Sequence, residues 1–251
     1  MRLNCALISY VAAALMFKKL HLTKITNTLD ILQARISERF ADCGLLNVCV
    51  ELNALARASE ARITWITRPN RSIRVGVACV ILGGVMSGFL GFHWVKLQPA
   101  VPSFGEFVQL TEAFLNTLVL VGASLFFLVS LESRIKRSRT LKALHELRAI
   151  AHVIDMHQLT KDPVISYSVG EQPTPSSPKR QLNAFELRRY LDYCAEMLSL
   201  VGKTAALYSQ QMPDAEIVSA ANDVEILCAS MSHKIWQKIM IIHADQQRSP
   251  L

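Results

Sequence analysis

Histidines and carboxylates are concentrated in one short segment, residues 145–163, with the sequence HELRAIAHVIDMHQLTKDP. Imidazole and carboxylate groups are common zinc ligands and common general acids or bases, so this segment is a candidate metal or acid–base site. Residues three or four apart share one face of a helix, and His152 and Asp155 have that spacing. His145 lies two turns before His152, too far to bind the same ion, and the segment contains no HExxH or paired ExxH motif.

The same segment also has the pattern of an ordinary amphipathic helix. Apolar residues recur at helical spacing and form a seam of Leu144, Leu147, Ala151 and Ile154. Beside it lies a polar edge of His145, Arg148, His152 and Asp155. We favour an edge of ion pairs, Arg148 with His152 or His152 with Asp155, which helps to select a partner helix. The minor alternative is a polar site of His145, His152 and Asp155; we expect no catalytic residue, cofactor or metal.

Other reactive residues lack the spacing that chemistry requires. Gly202, Lys203 and Thr204 form a GKT sequence, but the glycine-rich loop of a phosphate-binding motif does not precede it. The six cysteines are widely spaced and include no CxxC motif, which indicates free packing thiols in a reducing compartment. The sequence therefore predicts a protein that is not an enzyme.

Two uncharged apolar segments predict membrane-spanning helices. The chain is 51% hydrophobic and only 19% charged. The excess is concentrated in residues 75–95 and 113–131, which contain no Asp, Glu, Lys or Arg. Each segment has about twenty residues, enough for a helix to cross a hydrocarbon core of about 30 Å. Because core helices of soluble proteins rarely stay uncharged over this length, we predict a two-span transmembrane hairpin.

Basic residues near the spans predict their orientation. The first span is preceded by Arg68, Arg71 and Arg74. The second span is followed by Arg134, Lys136, Arg137, Arg139 and Lys142. The loop between the spans has only one basic residue, Lys96. The positive-inside rule places both ends in the cytoplasm and the short loop outside. Membrane proximity also explains much of the net charge of +7. We expect the lipid bilayer as a partner and no nucleic acid, since no zinc-finger or RNA-binding signature occurs.

The rest of the chain predicts helices and one linker, so the fold class is all-α. Residues 1–22 form an apolar segment, signal-like or interfacial, and whether residues 1–17 are translated, cleaved or inserted is left open. Cytoplasmic helices are predicted for residues 23–70, the transmembrane hairpin for 71–135, and a stalk helix for 136–162, which lack Gly and Pro. The Pro- and Ser-rich residues 163–181 predict a flexible linker, and residues 182–245 a cytoplasmic helical hairpin.

Two patterns predict where helices pack. Apolar residues from 187 to 208 alternate steps of four and three, which indicates a coiled-coil seam with Leu191, Leu198 and Val201 facing inward. In the first span, small residues are spaced by four: Gly83, Ser87 and Gly91, and Gly84 with Gly88. Such residues let helix backbones approach closely, either between the two spans or between protomers.

These features indicate an integral protein of a bacterial inner membrane whose cytoplasmic bundle self-associates or binds a partner protein. The alternative is an oligomeric channel or membrane-perturbing effector built from the same hairpin. The layout is similar, in architecture only, to that of several bacterial two-span membrane effector and channel-like proteins. Coupled transport is disfavoured because it usually requires ionisable residues at mid-membrane, and the spans have none there.

Overall fold

The computed structural model describes residues 19–41, 43–97, 104–161 and 182–248. These residues form six α-helices: α1 (Leu22–Arg39), α2 (Gly44–Thr67), α3 (Arg71–Leu97), α4 (Phe104–Leu159), α5 (Ala184–Gln211) and α6 (Ala215–Arg248). No strand occurs in these four ranges, so the all-α prediction is confirmed for them. The predicted linker and the predicted N-terminal segment up to residue 18 lie outside the described residues.

The chain divides into two compact units. The first consists of the described residues up to Trp65 and from Thr140 onward, and it contains α1, most of α2, the C-terminal part of α4, α5 and α6. The second runs from Ile66 to Arg139 and contains α3 and the N-terminal part of α4. Helix α4 is unbroken from Phe104 to Leu159, as the absence of Gly and Pro from its second half favours.

Local signals set the helix ends. Asn183 and Glu186 form a capping box before α5, with both reciprocal hydrogen bonds at 2.9 Å. Before α6, the Asp214 carboxylate accepts from the Glu216 backbone N–H at 3.0 Å. Helix α2 ends two residues before Pro69, which disfavours the α conformation at the residue preceding it.

Helix α5 is the central helix of the first unit. The predicted seam residues Leu191, Leu198 and Val201 are fully buried. Side chains outside that seam are buried as well, including Tyr190, Tyr193, Met197, Leu200 and Leu207. A coiled coil, which the sequence predicts, would bury a single seam of this helix. The burial is instead that of a helix surrounded by neighbours, since α1, α2, α4 and α6 each have a side chain or backbone group against it.

The second unit has the opposite distribution of apolar side chains. Large hydrophobic residues of α3 and of the N-terminal part of α4 are exposed, among them Val75 at 62%, Phe89 at 64% and Phe126 at 76%. Two helical stretches are long and apolar enough to cross a membrane. They are Gly44–Gly91, which includes α2 and most of α3, and Phe107–Leu159, which is most of α4. The described residues therefore contain two helical stretches with the length and composition that the sequence predicts for membrane spans.

Candidate functional site

The polar edge of α4 does not assemble into a site. His145 and His152 are exposed, whereas the seam beside them, Leu144, Leu147, Ala151 and Ile154, is buried. The Asp155 carboxylate accepts a hydrogen bond from the Gln158 amide at 2.6 Å. Among the described residues His152 forms neither predicted ion pair. The Asp155 carboxylate is engaged along its own helix, and the predicted pairing with Arg148 is wrong because arginine and histidine are both basic.

No metal centre is found in the part of the chain that the structure describes. There, no group of three or more His, Cys, Asp or Glu side chains is arranged to hold an ion. A structural zinc site requires four such ligands and a catalytic one three.

The end of this polar segment anchors α4 to α6. Gln158 is only 1% exposed, although its amide and backbone are polar. The Lys238 ammonium of α6 donates to the Gln158 carbonyl oxygen at 2.9 Å and to its Oε1 at 2.7 Å, and to the Lys161 carbonyl at 3.4 Å. These carbonyls belong to the last turn of α4 and the residues after it, where α-helical donors are missing. The Gln158 carbonyl also accepts from the Lys161 backbone N–H at 3.1 Å. Lys238 therefore acts as a C-terminal cap supplied by another helix.

Helices α5 and α2 also contact this end of α4. The Tyr190 hydroxyl donates to the His157 carbonyl at 3.5 Å, and the Lys161 ammonium lies 5.3 Å from the centre of the Tyr190 ring. A Cβ atom at Gly44, the first residue of α2, would lie 2.7 Å from the His157 imidazole, so glycine permits this close approach. The C-terminal end of α4 is thus a junction of four helices: α2, α4, α5 and α6.

A second polar cluster links α2, α4 and α5. The Tyr208 hydroxyl donates to Ser59 Oγ at 3.0 Å, and Ser59 donates to the Leu55 carbonyl at 2.9 Å. Next to this pair Arg62 forms an ion pair with Glu146. Burial raises the pKa of Tyr208. Within the described ranges, the hydrogen-bond partners of Ser59 are Tyr208 and the Leu55 carbonyl, and neither is a carboxylate or imidazole that could act as its base. The cluster therefore has the chemistry of a structural tie and not of a nucleophile.

The buried thiols are unreactive at neutral pH. Burial raises the pKa of Cys49 and of Cys228 to about 11, and it raises the pKa of Cys194 as well. All three are free. Since the thiolate is the nucleophile and the metal ligand, these cysteines serve as small apolar core residues.

The three residues of the GKT sequence lie in different environments on α5. Gly202 packs against Glu225 and Cys228 of α6. Lys203 is exposed and donates to Ser199 at 2.5 Å, whereas the buried Thr204 hydroxyl donates to the Leu200 carbonyl at 2.8 Å. The three residues lie within helix α5 and do not form a phosphate-binding loop.

The small residues of α3 fall into two sets. A Cβ atom at Gly84 would lie 3.1 Å from Val121 of α4, which is close packing between the two helices. At Gly83, Gly88 and Gly91 a Cβ atom would meet nothing within 4 Å. Gly88, Gly91 and Ser87, together with Gly84, line an apolar cleft of about 810 Å³ between α3 and α4.

Comparison with protein-family models, with curated proteins and with solved structures gives no significant match.

Proposed function

We propose that the protein is a non-enzymatic integral membrane protein, of a bacterial inner membrane, whose cytoplasmic helical bundle mediates self-association. In this proposal α3 and the N-terminal part of α4 cross the bilayer as a two-span hairpin. The first unit is the cytoplasmic bundle. The observation that carries the proposal is the contrast in apolar exposure between the two units.

In the first unit, apolar side chains from five helical segments form one buried core. Every buried side-chain nitrogen or oxygen in the described ranges has a hydrogen-bond partner. In the second unit, large apolar side chains such as Val85, Phe89, Phe126 and Phe127 are exposed. Transferring such a side chain from water to an apolar environment is favourable by about 1.5 to 3 kcal/mol. This surface is therefore more stable in contact with lipid hydrocarbon than with water.

An orientation with both ends in the cytoplasm predicts a specific labelling pattern. A cysteine introduced by Ser103→Cys should react with a membrane-impermeant maleimide in intact cells, since the loop between the spans faces outward. Cysteines from Ser177→Cys and Ser249→Cys should react only after permeabilisation. The unsubstituted protein, with its own six cysteines, is the reference for background labelling.

Labelling of Ser177→Cys in intact cells would reverse the orientation and the cytoplasmic assignment of the bundle. Labelling of all three variants without permeabilisation would exclude a membrane barrier between them.

The surface that we assign to self-association lies on α6. Its inward face is a heptad-like series buried in the core, from Ile217 through Val224 and Met231 to Ile242. A second series lies away from that face, with Ile226 at 68%, Trp236 at 57% and Met240 at 59% exposure. With Ala229 and His233 between them, these residues are spaced by three and four, the spacing of a helix-packing seam.

We assign a second copy of this chain as the occupant, because two-fold pairing places the stripe against itself and covers the exposed Trp236 and Met240 side chains of both copies. By contrast, Leu191, Leu198 and Val201 are used within one protomer. The open position at Gly83, and the space beside Gly88 and Gly91 in the cleft between α3 and α4, leave room for a further contact between protomers within the membrane.

Removal of the two largest side chains of the α6 stripe should dissociate the oligomer. Trp236→Ala with Met240→Ala should raise the dissociation constant at least about tenfold, since a central interface tryptophan typically contributes more than about 1 to 2 kcal/mol. The measurement is the subunit count in mild detergent, by light scattering over a dilution series. The matched control is Ser230→Ala with Lys234→Ala, two exposed positions on another side of the same helix.

A monomeric wild-type protein, or equal dissociation constants for both double variants, would contradict self-association through α6.

The alternative function, an oligomeric channel or membrane-perturbing effector, predicts a different number of subunits. A pore needs several copies in a closed ring around an axis, whereas the α6 contact yields a dimer. In the cleft between α3 and α4, the Thr111 and Thr117 hydroxyls each donate to a carbonyl of their own helix at 2.8 Å. Their hydrogens are therefore satisfied within α4, and the subunit count is the measurement that distinguishes the two functions.

A further inference from the structure

One end of the second unit carries a group of basic side chains that we name the basic collar: Arg68, Arg71, Arg74, Arg134, Lys136, Arg137 and Arg139. Residues 66–74 and 131–139 contain these seven basic residues and one acidic residue, Glu132. The start of α3 and this part of α4 are neighbours, because the Glu132 carboxylate accepts from the Asn70 backbone N–H and lies near Arg74.

The single carboxylate of the collar is already engaged. Glu132 forms an ion pair with Lys136 at 2.7 Å in addition to its contact with Asn70. Arg68, Arg71, Arg74 and Arg134 are all exposed. These four arginines therefore present their guanidinium groups to the surroundings.

The collar lies next to the exposed apolar surface of the same unit. Val75, 62% exposed, directly follows Arg74, and Val129, 61% exposed, precedes Arg134 by little more than one turn of α4. In the membrane placement proposed above, this boundary coincides with the level of the lipid headgroups. A guanidinium group binds a phosphate through two parallel hydrogen bonds, and its low hydration favours this partly dehydrated layer.

We propose that the basic collar is a binding site for the phosphate groups of anionic glycerophospholipids. The inference rests on the proposed membrane placement and adds a ligand class to it. A zwitterionic lipid carries a compensating ammonium group, so an anionic headgroup such as phosphatidylglycerol matches the surplus charge better. The adjacent apolar surface favours a lipid over a soluble phosphate, because it accommodates the acyl chains of the same molecule.

The test is lipid selection by the full chain. Protein in detergent is equilibrated with equal amounts of phosphatidylglycerol and phosphatidylcholine, and the bound lipids are counted by native mass spectrometry. Each cation near an anionic lipid surface contributes about a fivefold preference, so we expect wild-type protein to prefer phosphatidylglycerol at least about tenfold. The triple variant Arg68→Gln, Arg71→Gln, Arg74→Gln should lose at least about fivefold of that preference.

The matched control removes the same charge from exposed positions of the first unit, with Arg148→Gln, Lys203→Gln and Lys234→Gln. It should keep the wild-type preference. A second collar variant, Arg68→Gln with Arg134→Gln, avoids Arg74 and its contact with Glu132, and it serves if the triple variant does not fold. No lipid preference in wild-type protein, or the same loss in collar and control variants, would overturn the site.

Two competitors separate the sources of phosphate. Millimolar inorganic phosphate and a short DNA duplex, at matched ionic strength, should leave bound phosphatidylglycerol in place. Displacement by inorganic phosphate would make the collar a soluble-phosphate site, and displacement by the duplex a nucleic-acid site; either result overturns the lipid proposal. Failure of the membrane placement itself is seen separately, as release of wild-type and variant protein alike from membranes by alkaline carbonate.

Discussion

Leu198→Ala should lower the free energy of unfolding of the helical bundle by about 2 to 5 kcal/mol. Leu198 is 0% exposed and lies on the central helix, so its truncation loses apolar burial and leaves a cavity that surrounding helices cannot readily fill. For a domain of this size each kcal/mol lowers the melting temperature by about 2 to 4 °C, which predicts a shift of about 4 to 20 °C. The measurement is thermal unfolding of the full chain in detergent, followed by circular dichroism.

Arg189→Ala is the control on the same helix. Its side chain is 43% exposed and forms an ion pair with Asp192 at 3.6 Å, a type of contact worth about 0 to 1 kcal/mol. Its melting temperature should therefore remain within a few degrees of wild type. Equal shifts for the two variants would mean that α5 is not the central helix.

The full chain is required because α5 and α6 alone do not complete the core. Arg35 of α1 pairs with Glu196 of α5 at 2.8 Å, and Phe40 packs its ring edge-on against Tyr190 and Tyr193, at 5.7 Å and 6.2 Å between centroids. An isolated fragment of residues 181–246 would expose these aromatic surfaces of α5 to water. We therefore expect such a fragment to fold poorly even without substitution.

The all-α class and the two apolar helices could be predicted from the sequence because both depend on local properties. Uncharged runs and three-to-four spacing are visible within windows of about twenty residues. The same periodicity predicts that Leu191, Leu198 and Val201 point to one side. It does not reveal that Tyr190, Tyr193 and Leu200 are covered too, because that depends on how many helices surround α5.

The polar contacts could not be predicted for a different reason. Lys238 is 80 residues from Gln158, and Arg35 is 161 residues from Glu196. Charged side chains at exposed helical positions offer many possible partners, and only the packed bundle selects among them. The segment around His152 was conspicuous for its histidines, yet the residues that make contacts there are Gln158, Lys161 and the His157 backbone. A lysine in the last third of the chain gave no local signal of this role.

Lys238→Met should destabilise the bundle by about 1 to 3 kcal/mol, the second largest effect that we expect. Methionine keeps most of the apolar stem of lysine but cannot donate, so Gln158 Oε1 loses its charged donor while Gln158 remains buried at 1% exposure. The Gln158 carbonyl loses the same donor but keeps the Lys161 backbone N–H at 3.1 Å. A buried acceptor left unsatisfied costs its full desolvation free energy, whereas hydrogen bonds to charged groups contribute about 1.5 to 3 kcal/mol when present. Hydrogen exchange should locate the effect, with faster exchange in the last turns of α4.

Lys234→Met is the matched control, one turn earlier on α6 and exposed. It removes the same charge and adds the same side chain, so it should leave both the melting temperature and the exchange of α4 near wild type. If Lys234→Met and Lys238→Met behave alike, the loss comes from net charge and not from the cap. If Lys238→Met is destabilised but exchange at the end of α4 is unchanged, the ammonium stabilises α6 and does not hold the two helices together.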